Sequence, residues 1–474
     1  MKILLVSPET SVWNSRRHIH NGLGYLAGAL LHAGFRDVEI FDGAVESESL
    51  DARFARDYFD LVGISAPTPL IHHAWRAAEI AKQHGAITIL GGPHPTLMPD
   101  ESLAHAQVDF VARGEGGETL VELARWLESA RAIALEPHPH INERVAILGL
   151  SFRDATGKII HNPPRPLAQN LDAIPFPAHH LFKIERYTNL QPLTDGLISH
   201  SRAYTIVTSR GCPYQCTYCS KPITGNTWRA RSVENVLREW QMLVEDLGAT
   251  EIGVTDDIWN LDLNRAKEIC RGLIARGLNR VPWITVHGMK VNHTDAELFA
   301  LMKRAGCRRV GFGVESGDAE ILKTVVRKSQ TLAQARAAFR NARAAKLETM
   351  GFFIYGLPGE SIETMERTTR FALELDPDVA NFMLATPYPG TELWERVQAG
   401  GKLYAQNWAD LAIQSDHPHF EFGNLKPELV EWKWREAYRR FYLRPRRLWG
   451  RLFNTDTWKN FLPRVRDARR FFGT

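Results

Sequence analysis

Cysteine is scarce in this chain, which has five cysteines among its 474 residues. A fold that depends on a disulfide framework is therefore excluded, and the first residues show no signal-peptide pattern. Long hydrophobic runs are also missing, since no uninterrupted apolar stretch approaches the roughly 18 residues that a membrane-spanning helix requires. Hydrophobic residues make up 44% and charged residues 24% of the chain, as in ordinary globular proteins. The sequence therefore predicts a cytoplasmic protein with two or three domains.

Net charge is low, at +4, but the charges are unevenly distributed. Residues 431–474 contain thirteen Lys and Arg against four Asp and Glu, interleaved with eleven aromatic residues. The interpretation we favour is a helix that packs its aromatic side chains on the protein body and exposes its arginines. Peripheral contact with an anionic membrane, at its inner face, is an alternative. Nucleic-acid binding is a third interpretation, and we do not expect a nucleic-acid partner.

Strand and helix patterns alternate in two parts of the chain. In residues 1–130, five short apolar runs alternate with amphipathic helices, which predicts a doubly wound, Rossmann-like parallel sheet. Residues 131–195 are rich in proline and form a predicted connector with a hairpin turn at 155–158. Six further strand–helix units in residues 196–395 predict a partial (β/α)6 barrel of the TIM type, two units short of closure. With a small helical C-terminal region predicted in residues 396–474, the fold class is α/β.

Small and glycine-rich loops follow three strands of the predicted N-terminal sheet. Ligands of such sheets bind beyond the carboxyl ends of the strands, and loops without bulky side chains let a large flat ligand approach the backbone. Tight strand-to-helix turns with no ligand are an equally good interpretation. The candidate binding residues in these loops are Ser65, Thr68, Gly91, Gly92, His94, Gly114 and Glu115.

Three of the five cysteines, Cys212, Cys216 and Cys219, form a C-x-x-x-C-x-x-C pattern. Thiolates are the usual protein ligands of iron–sulfur clusters, and three of them leave one iron of a four-iron cluster open to another ligand. A structural zinc site is the alternative, but it needs a fourth Cys or His, and Cys270 and Cys307 are predicted to be buried and inert. The cysteine run follows the first barrel strand, at the end of an α/β barrel where catalysis takes place. This position favours the cluster.

The run from Arg210 to Cys219, placed after the first strand of a six-unit barrel, resembles that of the radical S-adenosylmethionine (radical SAM) superfamily. The resemblance covers residues 200–395 and implies a [4Fe–4S] cluster that binds SAM through its open iron. One electron passed to SAM then releases methionine and a 5′-deoxyadenosyl radical, which abstracts a hydrogen atom from the substrate. Helix capping is the alternative role for the two aspartates of this set. The residues that the resemblance places around SAM are Tyr218, Asp256, Asp257, Glu315, Ser316, Gly356 and Pro358.

The N-terminal pattern joined to such a barrel resembles the cobalamin-dependent radical SAM enzymes, in which a doubly wound domain presents cobalamin to the barrel. The loops at 65–68, 91–96 and 114–117 match that group in order and spacing. The D-x-H-x-x-G signature, which gives other cobalamin proteins a histidine ligand to cobalt, is absent from residues 1–130. The resemblance therefore implies cobalamin bound without a protein histidine beneath cobalt, with His94 as a loop residue. A domain that no longer holds cobalamin is the alternative.

The expected function is that of a radical SAM enzyme that methylates an unactivated carbon of a small-molecule, tetrapyrrole or lipid-type substrate. A second SAM would supply the methyl group that cobalamin carries, and an external reductant of the flavodoxin or ferredoxin type would supply electrons. Beyond the cluster cysteines, no catalytic side chain is assigned. A radical cyclisation or rearrangement without methylation is one alternative, and tRNA modification is another. A cobalamin or metal sensor would not need the barrel.

Overall fold

The computed structural model describes residues 1–9, 18–133, 146–191, 195, 198, 200–413 and 415–445. The chain divides into two compact units. Unit 1 comprises Met1–Tyr187 and Lys221–Ala230, and unit 2 comprises Thr188–Ser220 and the chain from Arg231 onward. Within the described residues, no helix combines the length and the apolar character needed to cross a bilayer.

Unit 1 is built on a seven-stranded sheet with the order β2-β1-β3-β4-β5-β6-β7. Its strands are β1 (Lys2–Ser7), β2 (Asp37–Asp42), β3 (Leu61–Ser65), β4 (Ile87–Gly91), β5 (Phe110–Ala112), β6 (Leu150–Arg153) and β7 (Ile159–His161). The first five strands are parallel, which confirms the predicted doubly wound sheet. Strands β6 and β7 add an antiparallel hairpin to its edge. The chain order reverses between β1 and β3, and doubly wound sheets bind ligands at such a switch point.

Helices cover this sheet. The helices that the structure describes in unit 1 are α1 (Asn21–His32), α2 (Leu50–Arg56), α3 (Ile71–Gln83), α4 (Pro93–Leu97), α5 (Pro99–Ala104) and α6 (Gly116–Ile133), with 3-10 turns at Thr68–Leu70, Leu171–Ala173, His179–Leu181 and Ile184–Arg186. Residues Ile3 to Val6 of β1 are fully buried, because a parallel strand covered on both faces has no polar side. The carboxylate of Asp154 accepts hydrogen bonds from the backbone of Thr156 and Lys158, which confirms the predicted hairpin turn.

Unit 2 is built on a parallel six-stranded sheet with the order β15-β14-β13-β12-β11-β8. Its strands in chain order are β8 (Ala203–Ile206), β9 (Ser209–Arg210), β11 (Glu251–Val254), β12 (Trp283–Thr285), β13 (Cys307–Glu315), β14 (Glu348–Tyr355), β15 (Val379–Leu384), β16 (Gly401–Leu403) and β17 (Phe420–Phe422). The short strand β10 (Arg229–Ala230) belongs to unit 1. Strands β16 and β17 form a separate antiparallel pair. The six parallel strands follow the order expected of the predicted partial barrel.

Capping side chains set where the helices of unit 2 begin. These helices are α7 (Val233–Gln241), α8 (Leu263–Ala275), α9 (Ala296–Arg304), α10 (Leu332–Ala344), α11 (Ile362–Leu375), α12 (Glu392–Gly400) and α13 (Pro427–Tyr442), with π-helical turns at Met242–Asp246 and Ile321–Val326 and 3-10 turns at Leu278–Arg280 and Trp408–Leu411. A Ser, Thr or Asp before each helix from α7 to α12 accepts a hydrogen bond from a backbone N–H of the first turn. Such caps satisfy donors that a helix leaves unpaired, and they fix the lengths of the strand-to-helix loops.

The aromatic tail packs on the sheet of unit 2 as far as the structure describes it. Trp434 is 2% exposed, and its indole N–H donates to the carbonyl of Phe382 on β15 at 2.8 Å. The hydroxyl of Tyr442 donates to the carbonyl of Ala380 on the same strand at 2.7 Å. For residues 431–445 this arrangement confirms the favoured interpretation of the tail, while residues 446–474 lie outside the described residues.

Trp434 offers a direct test of this packing. We expect Trp434→Ala to lower the free energy of unfolding by about 3–5 kcal/mol, because it removes a large buried side chain and leaves a cavity. Trp432 is two positions away and 49% exposed, so Trp432→Ala should change stability by less than about 0.5 kcal/mol. Thermal and urea unfolding of the two variants measure the difference. Equal midpoints would contradict the docked position of α13.

Candidate functional site

The three cysteines of the motif lie in the loop that follows β8 and β9. Cys212 and Cys216 are half-buried, and Cys219 is exposed. The N–H of Cys219 donates to the carbonyl of Cys216 at 3.0 Å, so the second half of the motif is a tight turn. Between them, Thr217 donates through its N–H to the carbonyl of Val326 at 3.2 Å and through its hydroxyl to Val325 at 2.8 Å. The loop is therefore attached to the π-helical turn after β13.

Two neighbouring aspartates after β11 hold the beginning of this loop. Asp256 is 2% exposed, and it accepts hydrogen bonds of 2.6 Å from the N–H and hydroxyl of Thr208 and from the hydroxyl of Ser209. Burial raises the pKa of Asp256 above its ordinary value, against the effect of these donors. Asp257 is exposed and accepts a hydrogen bond from the N–H of Gly211 at 2.9 Å. Both carboxylates thus position the first residues of the cysteine loop.

A buried arginine that the sequence analysis missed supports the same junction. The guanidinium of Arg265 donates to the carbonyl of Thr208 at 2.8 Å and to the carbonyl of Arg231 at 2.9 Å. Arg265 is on α8, far from the cysteine motif in sequence, and it belongs to no motif that could have identified it. Through these two hydrogen bonds, Arg265 positions the backbone where the cysteine loop begins.

Glu315 is the centre of a charged group beside the cysteines. It lies at the end of β13 with a left-handed backbone φ of 68°, and its carboxylate forms an ion pair with Lys328. A Cβ at position 313 would collide with this pair, so Gly313 leaves the space that the pair fills. Burial opposes the charge of Lys328, but Glu315 and Cys216 raise its pKa above the ordinary value. Burial and the charge of Glu315 raise the pKa of Tyr218, so its hydroxyl keeps its proton.

A second ammonium group near Cys216 is that of Lys290, which Cys216 influences electrostatically. Lys290 is 6% exposed, and its Nζ is 3.3 Å from the ring centroid of Tyr214. Burial and the charge of Lys328 lower the pKa of Lys290 to about 8, while Cys216 and Cys212 oppose that decrease. The sequence analysis did not identify Lys290, because it follows β12 in a loop without a recognisable motif.

The remaining predicted SAM-binding residues lie at the ends of β13 and β14. Ser316 is fully buried, and its hydroxyl is 3.1 Å from the hydroxyl of Thr368 on α11. Gly356 and Pro358 belong to the turn after β14, which Glu360 closes by accepting hydrogen bonds of 2.9 Å from the N–H groups of Gly356 and Leu357. Burial raises the pKa of Glu360 to about 8. Their contact with SAM stays a prediction.

The donor chemistry of the cysteine loop fits an iron–sulfur cluster. Three cysteine thiols lie on one loop at the carboxyl end of the sheet, and thiolates bind the irons of such clusters. Among the described residues, no three Cys, His, Asp or Glu side chains gather at a site for one metal ion. Cys270 and Cys307 are buried elsewhere in unit 2, which confirms the prediction made for them.

Two of the candidate cobalamin loops of unit 1 are tied to each other. The N–H of Ala66 donates to the carbonyl of Gly91 at 2.8 Å, and the N–H of His94 donates to the carbonyl of Ala66 at 3.1 Å. The carbonyl of Gly92, the residue after Gly91, accepts a hydrogen bond from the N–H of Thr96 at 3.2 Å. Ser65 lies at the end of β3, with its hydroxyl 3.0 Å from the ring nitrogen Nε2 of His20. These hydrogen bonds hold the loops after β3 and β4 together.

His94 is the buried histidine of these two loops. The residue is fully buried, its Nδ1 is 3.4 Å from the hydroxyl of Thr68, and its Nε2 is 3.0 Å from a carboxylate oxygen of Glu101. Burial lowers the pKa of His94, so the neutral imidazole is favoured. With both ring nitrogens engaged, His94 is placed to orient Thr68. We keep it as a loop residue and not as a ligand to cobalt.

The third candidate loop, at 114–117, contains a glycine with space beside it and a carboxylate that accepts hydrogen bonds. Gly114 has a φ of 77°, and a side chain there would meet no atom of the described residues within 4 Å, so these residues leave space beside the loop. Glu115 accepts hydrogen bonds from the N–H of Ala168 at 2.9 Å and from the guanidinium of Arg229 at 3.1 Å. The small residues and the space beside them fit a large flat cofactor such as cobalamin, while contact of Glu115 with it stays a prediction.

Comparisons with sequence families agree with these two sites. The model of the radical SAM superfamily matches residues 206–372, and the model of the B12 binding domain matches residues 16–124. An uncharacterized methyltransferase of Pyrococcus horikoshii is 35% identical over 458 residues, 94% of this chain and 93% of the relative. The cytidylyl-2-hydroxyethylphosphonate methyltransferase of Streptomyces wedmorensis is 30% identical and covers 83% of this chain and 80% of its own.

Two further proteins complete the comparison. The anaerobic magnesium-protoporphyrin IX monomethyl ester cyclase of Cereibacter sphaeroides is 30% identical and covers 79% of this chain, but only 60% of its own length. Among solved structures, the radical SAM methyltransferase TsrM of Kitasatospora setae, with cobalamin and a [4Fe–4S] cluster bound, has a TM-score of 0.67. The two chains are 22% identical, with 86% of this chain and 82% of TsrM covered. At that identity the likeness shows the fold alone.

The cysteine loop makes a prediction with controls in the same chain. Replacing Cys212, Cys216 or Cys219 by Ala should remove bound iron and abolish reductive cleavage of SAM, because two thiolates do not hold the cluster. Cys270→Ala and Cys307→Ala remove buried cysteines away from the loop, and both should keep wild-type iron content. Iron analysis and the yield of 5′-deoxyadenosine measure the outcome. Full cleavage by any one of the three loop variants would refute the assignment.

Because the pKa of Glu360 is raised in the folded protein, we expect the free energy of unfolding to depend on pH. Its pKa of about 8 in the folded state lies above the ordinary value of 4.5, so between about pH 4.5 and 8 the folded protein holds a proton that the unfolded chain has lost. The free energy of unfolding should therefore decrease over this window as pH rises, by an amount on the order of a few kcal/mol. Glu360→Gln should flatten the decrease, whereas Glu363→Gln, at an exposed site, should not. Identical pH profiles for Glu360→Gln and the wild type would contradict this assignment.

Proposed function

The chain belongs to the cobalamin-dependent radical SAM enzymes, and on that premise we propose that it methylates an unactivated carbon of a small-molecule substrate. Its cofactors are a [4Fe–4S] cluster, SAM and cobalamin. The observation that carries the proposal is the 35% identity to a methyltransferase over 94% of this chain. The second methyltransferase relative, at 30% identity, supports it.

The chemistry of the proposed reaction fixes its products. A [4Fe–4S] cluster on the three cysteines would supply the reductive cleavage of one SAM, and bound cobalamin would supply the transfer of the methyl group of another, so each turnover would need two electrons from an external reductant. One methionine, one 5′-deoxyadenosine and one S-adenosylhomocysteine are released for each methyl group transferred. The hydrogen that the substrate loses is recovered in 5′-deoxyadenosine. The reductant is of the flavodoxin or ferredoxin type.

In this proposal the residues at the strand ends bind and orient SAM. Asp257, which is exposed, receives the amino group, since a carboxylate and an ammonium form a strong charge-assisted hydrogen bond. Asp256 is enclosed by Thr208 and Ser209, so it positions the loop and acts on SAM only indirectly. The buried pair of Glu315 and Lys328 supplies polar contacts to the rest of SAM. The turn of Gly356 and Pro358 receives the adenine.

A substrate of tetrapyrrole or lipid type stays a proposal from the sequence. The apolar hollow after β14 and β15 is lined by Tyr355, Gly356, Leu384, Phe420 and Val430, and it is too small to hold such a molecule.

A radical cyclisation without methylation is the second candidate function. The 30% identity to the magnesium-protoporphyrin IX monomethyl ester cyclase favours it. The match covers only 60% of that relative, against 93% of the methyltransferase of Pyrococcus horikoshii, so methylation takes precedence. Peripheral membrane contact and tRNA modification stay alternatives from the sequence, and we do not expect a nucleic-acid partner.

Product analysis separates the two candidates. The anaerobically reconstituted protein is given cobalamin, SAM with a deuterated methyl group, a low-potential reductant and extracts of tetrapyrroles or lipids. We expect S-adenosylhomocysteine and 5′-deoxyadenosine in equal amounts, and a substrate that gains the labelled methyl group in mass spectrometry. Omission of cobalamin is the control and should abolish the label. Substrate-dependent 5′-deoxyadenosine without S-adenosylhomocysteine would show cyclisation or rearrangement and overturn the methylation proposal.

A further inference from the structure

Lys290 places an ammonium group inside unit 2, and among the residues that the structure describes no carboxylate forms an ion pair with it. The residue is 6% exposed, and among the described residues its Nζ has no hydrogen-bond partner. Burying a charge away from water is costly unless another charge or a polar group compensates it. A buried polar group that lacks such a partner requires an explanation.

The groups around Lys290 include three residues of the cysteine loop. Its Nζ lies 3.3 Å from the ring centroid of Tyr214, which stands between Cys212 and Cys216 in the sequence. Cys212, Cys216, Glu315 and Lys328 all act on it electrostatically. Of the two ammonium groups beside Cys216, Lys328 is neutralised by its ion pair with Glu315, whereas Lys290 contributes an additional positive charge.

Hydrogen bonds fix the backbone of the turn that carries this charge. Asn260, which is fully buried, accepts from the N–H of Lys290 at 3.1 Å and donates to the carbonyls of Lys290 at 2.8 Å and His293 at 2.7 Å. The hydroxyl of Tyr214 is 2.6 Å from Nε2 of His293. The turn from Lys290 to His293 is therefore linked both to the loop after β11 and to the cysteine loop. An ammonium group held on such a turn stays beside the cysteines.

We propose that Lys290 is the charge partner of the [4Fe–4S] cluster and raises its reduction potential. A four-iron cluster with three thiolate ligands carries a net negative charge, and reduction adds an electron to it. A fixed positive charge in a region of low dielectric stabilises the reduced form more than the oxidised form, and net charge is one of the factors that set cluster potentials. Lys290 therefore makes the cluster easier to reduce by the external electron donor. The inference rests on the cluster and is independent of methylation.

Two other roles for Lys290 make different predictions. A purely structural lysine would hold Tyr214 through a cation–π interaction, so its loss would reduce iron content and leave the potential of any intact cluster unchanged. A lysine that binds an anionic group of SAM would change SAM affinity and leave the potential of the SAM-free cluster unchanged. The potential measured without SAM therefore separates the proposed role from both others.

The test is an anaerobic redox titration of the full-length reconstituted protein, followed by electron paramagnetic resonance without SAM or substrate. Lys290→Met and Lys290→Gln remove the charge at similar side-chain length, and both should shift the midpoint potential to more negative values with four irons retained. Lys290→Arg keeps the charge and should stay near the wild-type potential. Lys323→Met is the matched control, because it removes the same charge from an exposed site; its potential should not change.

Three outcomes of this redox titration support or contradict the proposed role of Lys290. A negative shift in the two neutral variants, with none in Lys290→Arg or Lys323→Met, supports it. An unchanged potential in either neutral variant with a full cluster overturns it, whatever happens to SAM affinity. If neither neutral variant retains iron while Lys290→Arg does, the residue is structural and the proposal fails.

Discussion

The buried carboxylate of Asp256 fixes where the cysteine loop begins, and the rest of the site depends on that position. It is enclosed at the ends of β8 and β11 and accepts three hydrogen bonds from Thr208 and Ser209. Burying a carboxylate is tolerated only where donors satisfy it, so this arrangement allows the strand ends little freedom to shift. Arg265 adds donors to the carbonyls at the same junction. The cysteines that follow consequently start from a rigid support.

The charged groups around the cysteine loop differ in their burial and in their partners. Lys328 and Glu315 neutralise each other beside Cys216, and Asp257 is left exposed beside the N–H of Gly211. Lys290 is buried over the ring of Tyr214 without a hydrogen-bond partner among the described residues. An active site that reduces SAM needs both anion-binding and cation-binding groups near one cluster, and this set supplies both. Burial strengthens the interactions of Glu315, Lys328 and Lys290, because the local dielectric is low.

The sequence predicted the elements of the fold well, because period and composition are local properties. Strand β3 begins and ends where the apolar run Leu61–Ser65 does, and the cysteine motif identified the site through its spacing. It did not identify Asn260, Arg265 or Lys290, since their roles arise from contacts between loops that are distant in the chain. The hairpin turn of the connector was predicted, but the pairing of β6 with β5 was not, because it depends on the sheet already formed.

The central claim is that one chain holds both a four-iron cluster and cobalamin. The most direct test is a metal analysis by mass spectrometry of protein purified and reconstituted without oxygen in the presence of iron, sulfide, zinc and cobalamin. The account predicts about four irons and one cobalt per chain, and no stoichiometric zinc. Zinc in place of iron would contradict the cluster assignment, and four irons without cobalt would contradict the assignment of unit 1 as a cobalamin-binding domain.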